Sequence, residues 1–431
     1  MSAVKEVALP YKFGFVVGHS YLTEQQILSV QKVLESDANN DVIGEYEKKF
    51  AQLIGSGYGM SFASGRMAFY CLLKSLNVGP GDEVILPAFT CAVMPNAVWR
   101  TGATPIFSNL DKDTFGSSAS AIEEKITSRT KIIVAQHSFG IPCKIKEIVD
   151  IAASKGIFVV EDSAITLGSR VDDIATGNFG HAAIFSTDHS KPLNTLIGGI
   201  MYTKEKGILD RIKLKFHKLP DLDKAHQMRI FQQILFERKW CIPSRYPKMR
   251  LKNYLNALVR KFKNIKMYSF LEADYIKPEL AHSDYPYPAN LPPFLAQLGL
   301  FELERWEKEK EQRQNILHRY LNIAKNSCIS NYIHGVYSDP SLDIVPLRFV
   351  YRHPNSEQHR KIMSKGVDVG WTWFRSTVIC CPNGPQDIGY SPGSCALSEQ
   401  VCSDIINWPC VVAEGWEDKL VDFFGSVILS N

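Results

Sequence analysis

Apolar residues recur at helical spacing over several stretches of this chain, and short apolar runs alternate with them. The helical spacing predicts amphipathic helices over residues 24–36, 46–53, 67–76, 96–99, 119–126 and 145–154. The short runs predict buried strands ending near residue 63 and over residues 83–87, 104–107, 131–135, 157–160, 182–186 and 199–203. Strands that alternate with helices in this way indicate an α/β fold, with a mainly parallel sheet covered by helices on both faces.

The second half of the chain follows a different pattern. A long helix is predicted over residues 295–324, with many charges on its outer face. A strand-like run at 344–350 and helical patterns at 356–365 and 414–424 then indicate a smaller α+β domain. We therefore expect a large α/β domain over residues 1–280, which includes a basic helical insertion at about 204–285. The connecting helix and the smaller domain would occupy residues 281–431.

Composition narrows the class of protein. With 431 residues, 45% hydrophobic and 22% charged, the chain is typical of an ordinary globular protein. No uninterrupted apolar stretch approaches the roughly 20 residues of a membrane span. The N-terminal residues also lack the basic and then apolar pattern of a signal peptide. The ten cysteines are scattered without metal-ligand spacing, which indicates reduced thiols and no metal site. We expect a soluble cytoplasmic protein.

Residues 204–277 carry many more lysines and arginines than acidic residues, although the whole chain has a formal net charge of only +4. Such a segment is a candidate anion-binding surface. Its stretch LNALVRKFKNIKMYSF also fits an interfacial amphipathic helix that contacts a membrane surface. A solvated helical face is the simpler interpretation, and we prefer it to a membrane or nucleic-acid role.

Two strand ends carry candidate chemistry. The predicted strand VVED ends in Glu161 and Asp162, and a carboxylate in such a buried position needs a positive or hydrogen-donating partner. The strand ending at Ser186 runs into a polar loop that contains Lys191. An aspartate, a serine and a lysine so placed are the set of groups that holds pyridoxal phosphate (PLP). They pair with the ring nitrogen, contact the phosphate and form the Schiff base, respectively.

Several sequence motifs, taken in order, resemble the DegT/DnrJ/StrS family of PLP-dependent nucleotide-sugar aminotransferases. They are GPGDEVILPAFT (79–90), GATPIF (102–107), SRTKIIVAQHSFG (128–140), GIFVVEDSA (156–164), GNFG (177–180), IFSTDHSKPLNTLIGG (184–199), AQLGLFELERW (296–306), SKGVDVGWTW (364–373) and NWP (407–409). The resemblance implies the fold of type I PLP-dependent transferases, with a seven-stranded sheet in the large domain.

The resemblance also implies roles for individual residues. Lys191 would bind the cofactor covalently and shuttle the proton, and Asp162 would pair with the pyridinium nitrogen; these two are the expected catalytic residues. Glu161 would support them. The expected cofactor-binding residues are Ser64, Gly65, Arg66, Phe89, Cys91, Asp162, Ala164, Ser186, His189, Lys191 and Asn290. The presence of Lys191 argues against a dehydratase branch of the family, which has histidine there.

This chain departs from the family pattern at several positions. Arg66 replaces a usual threonine, and an arginine there is suited to clamp phosphate directly. Cys91 stands where the family pattern has an aromatic residue that stacks on the cofactor ring. In this chain that stacking is lost or is supplied by Phe89. Ile165 replaces a usual His or Gln. In the family, an Asn-x-Arg motif reaches the site from the neighbouring subunit. At the two corresponding positions this chain has Pro288 and Asn290.

The resemblance implies an aminotransferase that moves an amino group, with glutamate as the expected donor, to a keto group of a nucleotide-linked deoxysugar. The product would serve a surface polysaccharide or a glycosylated metabolite, and a homodimer would share its sites. Two alternatives stay open. One is a PLP enzyme of the same fold with a non-sugar or lipid-linked substrate, and the other is a non-catalytic regulator that keeps a PLP pocket.

Overall fold

The fold is described by a computed structural model, which covers residues 13–36, 41–249, 251–252, 255, 272–280 and 283–429. Most of the stretch LNALVRKFKNIKMYSF lies outside the described residues. The interfacial helix predicted for this stretch therefore lies outside the described part of the chain. Within the described residues, no helix combines the length and the apolar character needed to cross a membrane.

Twelve strands are found among the described residues. In chain order they are β1 (Tyr58–Phe62), β2 (Glu83–Pro87), β3 (Thr104–Ser108), β4 (Thr130–Gln136), β5 (Phe158–Asp162), β6 (Arg170–Val171), β7 (Ile174–Ala175), β8 (Ala182–Ser186), β9 (Gly199–Thr203), β10 (Leu342–Asp343), β11 (Arg348–Arg352) and β12 (Ile405–Pro409).

Seven of these strands form one sheet in the order β1-β9-β8-β5-β4-β2-β3. Strands β8, β5, β4, β2 and β3 run parallel, while β9 is antiparallel to both of its neighbours, β1 and β8. The prediction of a mainly parallel sheet is therefore confirmed. The carboxyl ends of β5 and β8 are adjacent, and this brings Asp162 and Ser186 to the same edge.

Helices cover the sheet and connect its strands. They are Glu24–Glu35, Val42–Ile54, Gly65–Ser75, Val93–Trp99, Ala119–Glu123, Ile145–Ser154, Lys206–Lys215, Lys224–Trp240, Pro293–Lys325, Ser356–Met363, Ala396–Asp404 and Glu417–Leu429. Their ends follow local chemistry. The first begins after Thr23, whose side chain and Gln26 form a reciprocal capping box.

The long helix Pro293–Lys325 joins the two halves of the molecule. Its first part, from Phe294 to Trp306, packs into the apolar core around the large sheet. Its last part, from Ile316 to Ala324, packs into a second core that contains Phe349 of β11 and Trp408 of β12. One continuous helix therefore carries the smaller sheet at a fixed position beside the larger one.

Two sequence predictions need correction in the second half. The strand expected at 344–350 begins only at Arg348, because Pro346 cannot donate to a sheet ladder. Strand β12 was not predicted at all.

In the basic segment, helix Lys206–Lys215 buries Ile208, Leu209 and Ile212, and most of its lysines are exposed.

Candidate functional site

The main cavity of the described chain lies at the carboxyl ends of β5 and β8 and has a volume of about 200 Å³. Eight of the predicted site residues line it, namely Gly65, Arg66, Cys91, Asp162, Ala164, Ser186, His189 and Lys191. These residues come from four separate segments of the sequence. The structure therefore brings together most of the set that the sequence predicts.

Lys191 lies in the loop between β8 and β9. Its Nζ lies 4.7 Å from the centre of the Trp373 ring, an arrangement in which the aromatic face attracts the ammonium. Among the described residues, no carboxylate or carbonyl oxygen forms an ion pair or a hydrogen bond with this Nζ. The lysine amine is thus available to a ligand in the cavity.

Asp162 ends strand β5 and is only 5% exposed. Its Oδ1 accepts a hydrogen bond from the backbone N–H of Ala164 at 3.0 Å. Burial raises the pKa of the Asp162 carboxyl, and the positive charge of Lys191 works against that rise. A cationic partner in the cavity would keep this carboxylate ionised.

Glu161 faces away from the cavity and has a supporting role. Its two oxygens accept hydrogen bonds from the backbone N–H groups of Gly177, Phe179 and Gly180, each at 2.7 Å. The His137 ring lies 3.0 Å away and accepts the Cys143 N–H at Nδ1, so its proton is on Nε2 and points at Glu161. Glu161 therefore fixes the turn that precedes β8.

A close backbone approach shapes the other end of the cavity. Ser64 caps helix Gly65–Ser75 through its Oγ, which accepts from the N–H of Met67 at 3.3 Å. A Cβ on Gly199 would fall on backbone atoms of Gly65, and a Cβ on Gly65 would lie 3.3 Å from Ser186. The first N–H groups of a helix have no intrahelical acceptor, so this end is suited to an anion.

The side chain of Arg66 is engaged by an acidic residue from the end of the basic segment. Its Nε lies 2.5 Å from Oδ2 of Asp274, a fully buried carboxylate that Arg100 also contacts at 3.0 Å. The neighbouring Tyr275 lines the cavity. Arg66 thus anchors the segment that presents Tyr275, a contact that the sequence did not indicate.

Three predicted residues need separate comment. Phe89 is fully buried and stacks on Phe374 with ring centres 4.0 Å apart, and it is not among the lining residues of the cavity. Cys91 lines the cavity, and its contact with the Cys380 thiol lowers its pKa to about 7. The amide of Asn290 donates to the carbonyl of Leu219 and to Asp221, outside the cavity of its own chain.

Asp188 is a cavity residue that the sequence reasoning did not assign, although it lies within the motif TDHSK. Its Oδ1 is 3.1 Å from Nδ1 of His189, whose ring meets Trp371 edge to face at 5.5 Å. Burial alone would lower the pKa of His189, but the Asp188 carboxylate outweighs burial and raises that pKa to about 9. His189 is therefore charged at neutral pH.

The fold and this site define a class of protein, the fold type I PLP-dependent transferases. Within that class, the sequence model of the DegT/DnrJ/EryC1/StrS aminotransferase family matches residues 20–245. The chain belongs to this family. The matched region contains every predicted site residue except Asn290.

Curated relatives match a part of this chain. GDP-perosamine synthase of Escherichia coli O157:H7 is 37% identical over 193 residues, which cover 44% of this chain and 53% of that protein. UDP-N-acetyl-3-dehydro-alpha-D-glucosamine 3-aminotransferase of Acidithiobacillus ferrooxidans is 36% identical over 165 residues, 38% of this chain and 45% of that protein. The chain thus matches about half the length of these relatives.

Solved structures agree with the fold over the whole chain. An aminotransferase from Psychrobacter cryohalolentis has a TM-score of 0.69 at 18% identity and covers 94% of this chain and 97% of its own. A DegT DnrJ EryC1 StrS aminotransferase from Brucella abortus has a TM-score of 0.66 at 20% identity, covering 94% and 95%. At these identities the likeness concerns the fold alone.

Aminotransferases of this family use PLP, and the residues present fit that group. The cavity offers an amine with no bonding partner among the described residues, a buried carboxylate, and a helix N-terminus that a Cβ on Gly199 would obstruct. These three features match the aldehyde, the ring nitrogen and the phosphate of PLP, respectively. Lys191, Asp162, and Gly65 with Ser186 would hold them.

Proposed function

We propose that this protein is a PLP-dependent aminotransferase that takes the amino group of an amino acid, glutamate in the first instance. The acceptor would be a keto group on a nucleotide-linked deoxysugar. The observation that carries this proposal is the Lys191 amine, which faces a cavity that also contains the buried carboxylate of Asp162. Family membership and the names of the curated relatives support the sugar acceptor.

The bound cofactor supplies an electron sink that makes the α-proton of the amino donor acidic. Lys191 Nζ would take this proton and later give it up again, so that one nitrogen would serve first as the base and then as the acid. Asp162 would hold a negative charge against the ring nitrogen of the cofactor and so would keep that nitrogen protonated. Because Lys191 must be neutral when it acts as a base, the attraction of the Trp373 face must be given up at that step.

The walls of the cavity orient the reactants and exclude water. Trp371 and Trp373 lie on the side of the smaller domain, and Tyr275 closes the side of helix Gly65–Ser75. Exclusion of water strengthens the charge interactions of Lys191, Asp162 and Asp188. The side chain of Trp371 is 38% exposed, so this wall is the rim through which substrates enter.

We further infer a homodimer with shared sites, as the family resemblance implies, and a cytoplasmic location. The division into residues 1–280 and 281–431 remains our proposal, supported by the two apolar cores. The basic residues of the 204–277 segment would help to bind the nucleotide diphosphate. A polysaccharide or a glycosylated metabolite is the proposed destination of the amino sugar.

The test is an amine-transfer assay with ¹⁵N-labelled glutamate and a panel of keto-sugar nucleotides. We expect 2-oxoglutarate and one ¹⁵N-labelled amino sugar, both detected by mass spectrometry. Lys191→Ala should abolish both products. Lys155→Ala changes an exposed lysine just before the amino end of β5, away from the cavity, and should leave both products unchanged. Formation of neither product with any acceptor would contradict the proposal.

A further inference from the structure

Cys91 and Cys380 form a pair of thiols in the wall of the main cavity, and the proposed reaction gives neither of them a chemical role. Both residues line this cavity, although they come from opposite halves of the chain. The side chain of Cys91 forms a hydrogen bond with that of Cys380. Cys380 is exposed and Cys91 is partly exposed, so a small reagent that enters the cavity can reach the pair.

The backbone holds the two cysteines at close range. Cys91 pairs in parallel with Ile379, the residue before Cys380. The N–H of Ile379 donates to the carbonyl of Thr90 at 2.9 Å, and the N–H of Ala92 donates to the carbonyl of Ile379 at 3.0 Å. Paired backbones lie about 4.8 Å apart, and a disulfide spans Cα atoms about 4.4–6.8 Å apart. Together with the contact between the side chains, this spacing suits a bond between the two sulfurs.

The segment that carries Cys380 has an unusual backbone. Cys380 has a φ of 74°, and Val378 and Phe374 have φ angles of 41° and 58°. Residues other than glycine seldom adopt this left-handed conformation, so neighbouring contacts must hold the segment in place. The Phe374 ring supplies one such contact, because it stacks on the fully buried ring of Phe89. The segment is therefore held against the wall that carries Cys91.

Cys91 is the better nucleophile of the two. Its contact with the Cys380 thiol lowers its pKa to about 7, and the charges of Lys191 and Arg66 act in the same direction. The same contact raises the pKa of Cys380, which therefore keeps its proton at neutral pH. A large share of Cys91 is then thiolate at neutral pH, and the thiolate is the form that attacks an oxidant.

The other cysteines differ from this pair. The thiol of Cys381 donates to the carbonyl of Val378 at 3.3 Å, and burial raises its pKa to about 12. Cys328 is exposed, and the remaining six cysteines are buried. Exposure alone would make Cys328 and Cys380 the most reactive thiols, whereas the contacts of the pair favour Cys91.

We propose that Cys91 and Cys380 are a redox modification site, which a hydroperoxide converts to a disulfide that restrains the cavity wall. The Cys91 thiolate attacks a peroxide oxygen, the O–O bond breaks, and Cys91 becomes a sulfenic acid. The Cys380 sulfur then bonds to the Cys91 sulfur, and the hydroxyl leaves with the Cys380 proton as water. With hydrogen peroxide, the two thiols lose two electrons and two protons in total, and the peroxide becomes two molecules of water.

The disulfide would connect two segments that shape the cavity. Cys91 lies in the loop after β2, and Cys380 follows the segment that contains Trp373. The Trp373 ring contacts the Lys191 amine at 4.7 Å, so a covalent restraint here acts close to the reacting nitrogen. A misplacement of about 1 Å can lower a rate by about 100-fold. We therefore expect oxidation to slow amine transfer, and this part of the inference rests on the proposed function.

The test treats the PLP-loaded protein with hydrogen peroxide and maps cross-linked peptides by mass spectrometry without a reducing agent. We expect one cross-link, between the peptide with Cys91 and the peptide with Cys380 and Cys381, and dithiothreitol should reverse it. Cys380→Ser should lose the cross-link and leave a sulfenic acid at Cys91, which dimedone traps. Cys381→Ser is the matched control and should keep the cross-link.

A second readout is the rate at which glutamate converts the bound cofactor. Oxidation should lower this rate by at least about tenfold, and dithiothreitol should restore it. In Cys380→Ser, peroxide should cause no loss of rate that dithiothreitol restores, because no disulfide can form there.

Four results would overturn the inference: no cross-link, a cross-link that Cys381→Ser loses, oxidation of Cys328 while Cys91 is spared, or a cross-link that leaves the rate unchanged. The two proposals can fail separately. Amine transfer in a protein that forms no cross-link refutes only the modification site. A cross-link between Cys91 and Cys380 in a protein that transfers no amine refutes the proposed function.

Discussion

At the scale of single residues, the pair formed by Asp188 and His189 places a fixed positive charge beside Lys191. The two side chains are held 3.1 Å apart, and Asp188 also accepts from the Ser190 hydroxyl. The carboxylate of Asp188 balances the charge of His189, and the His189 ring also contacts Trp371 at the rim of the cavity.

The charge of His189 can be measured directly by histidine NMR. The pKa of its ring is expected at about 9 in the wild type, so the pair persists at neutral pH and is lost as the pH rises through about 9. In Asp188→Asn the pKa should fall toward the ordinary value of 6.5. His189→Gln identifies the resonance, and an unchanged titration in Asp188→Asn would contradict the pairing.

Asp162 allows a second prediction at this scale. Asp162→Asn removes the negative charge from the end of β5 but keeps the size of the side chain and an acceptor for the Ala164 N–H. We expect the variant to retain PLP, while the rate at which glutamate converts the cofactor falls by at least about 100-fold. Stopped-flow absorbance measures this rate, and a rate near that of the wild type would contradict the assigned role.

At the scale of elements, the site depends on how closely helix Gly65–Ser75 approaches the β8–β9 pair. Gly199 opens β9 directly beneath the first residue of that helix, where no side chain has room. This approach lets the helix N-terminus and Ser186 face the same anion. The glycine is required by contact with the neighbouring backbone, and an alanine there would move the helix.

Gly199→Ala should therefore weaken PLP binding by at least about tenfold, because the displaced helix no longer presents its N–H groups together with Ser186. Equilibrium dialysis of PLP measures the effect. Gly207→Ala is the matched control, since a Cβ at Gly207 meets no atom within 4 Å. If Gly199→Ala bound PLP as tightly as the control, the phosphate site would have to lie elsewhere.

The elements also explain how far the sequence predicts the fold. The inner strands of the large sheet are mostly buried on both faces, so their apolar runs are visible without any tertiary information. In the smaller sheet, β11 begins with Arg348 and β12 contains Asn407, and the two polar side chains bond across the sheet. The local pattern indicates part of β11 but not β12, because the partner that makes the burial of Asn407 acceptable is distant in sequence.

The same reasoning applies to the site. Asp162, Ser186 and Lys191 stand at the ends of strands that the apolar pattern already indicates, and the sequence predicts them together. Tyr275 lines the cavity from a segment far along the chain, next to Asp274, which pairs with Arg66. Its contribution depends on packing between segments that are distant in sequence, which a single sequence does not display.

At the scale of the whole molecule, helix Pro293–Lys325 fixes the distance between the two halves of the site. Gly299 lets it pack closely on helix Val42–Ile54, since a Cβ there would overlap the Tyr46 ring. Further along, Arg313 makes a buried ion pair with Glu309 and donates to the carbonyl that precedes Arg348. One helix thus packs into both apolar cores, around the large sheet and around the smaller sheet.

The proposed dimer is the main prediction at this scale. Light scattering should give a particle of twice the 48.5 kDa chain mass over a wide range of concentration. The physical reason is that the family resemblance places each site beside a neighbouring subunit, and Trp371 at the rim remains partly exposed in the isolated chain. A mass of 48.5 kDa together with full activity would contradict shared sites.

The central claim is that Lys191 and Asp162 form a PLP-dependent amine-transfer site. The most direct measurement is the absorbance spectrum of the PLP-loaded protein before and after glutamate is added. We predict a band of lysine-bound cofactor that is absent in Lys191→Ala and that glutamate converts to the pyridoxamine form. A PLP band that persists in Lys191→Ala, or one that no amino acid changes, would contradict the account.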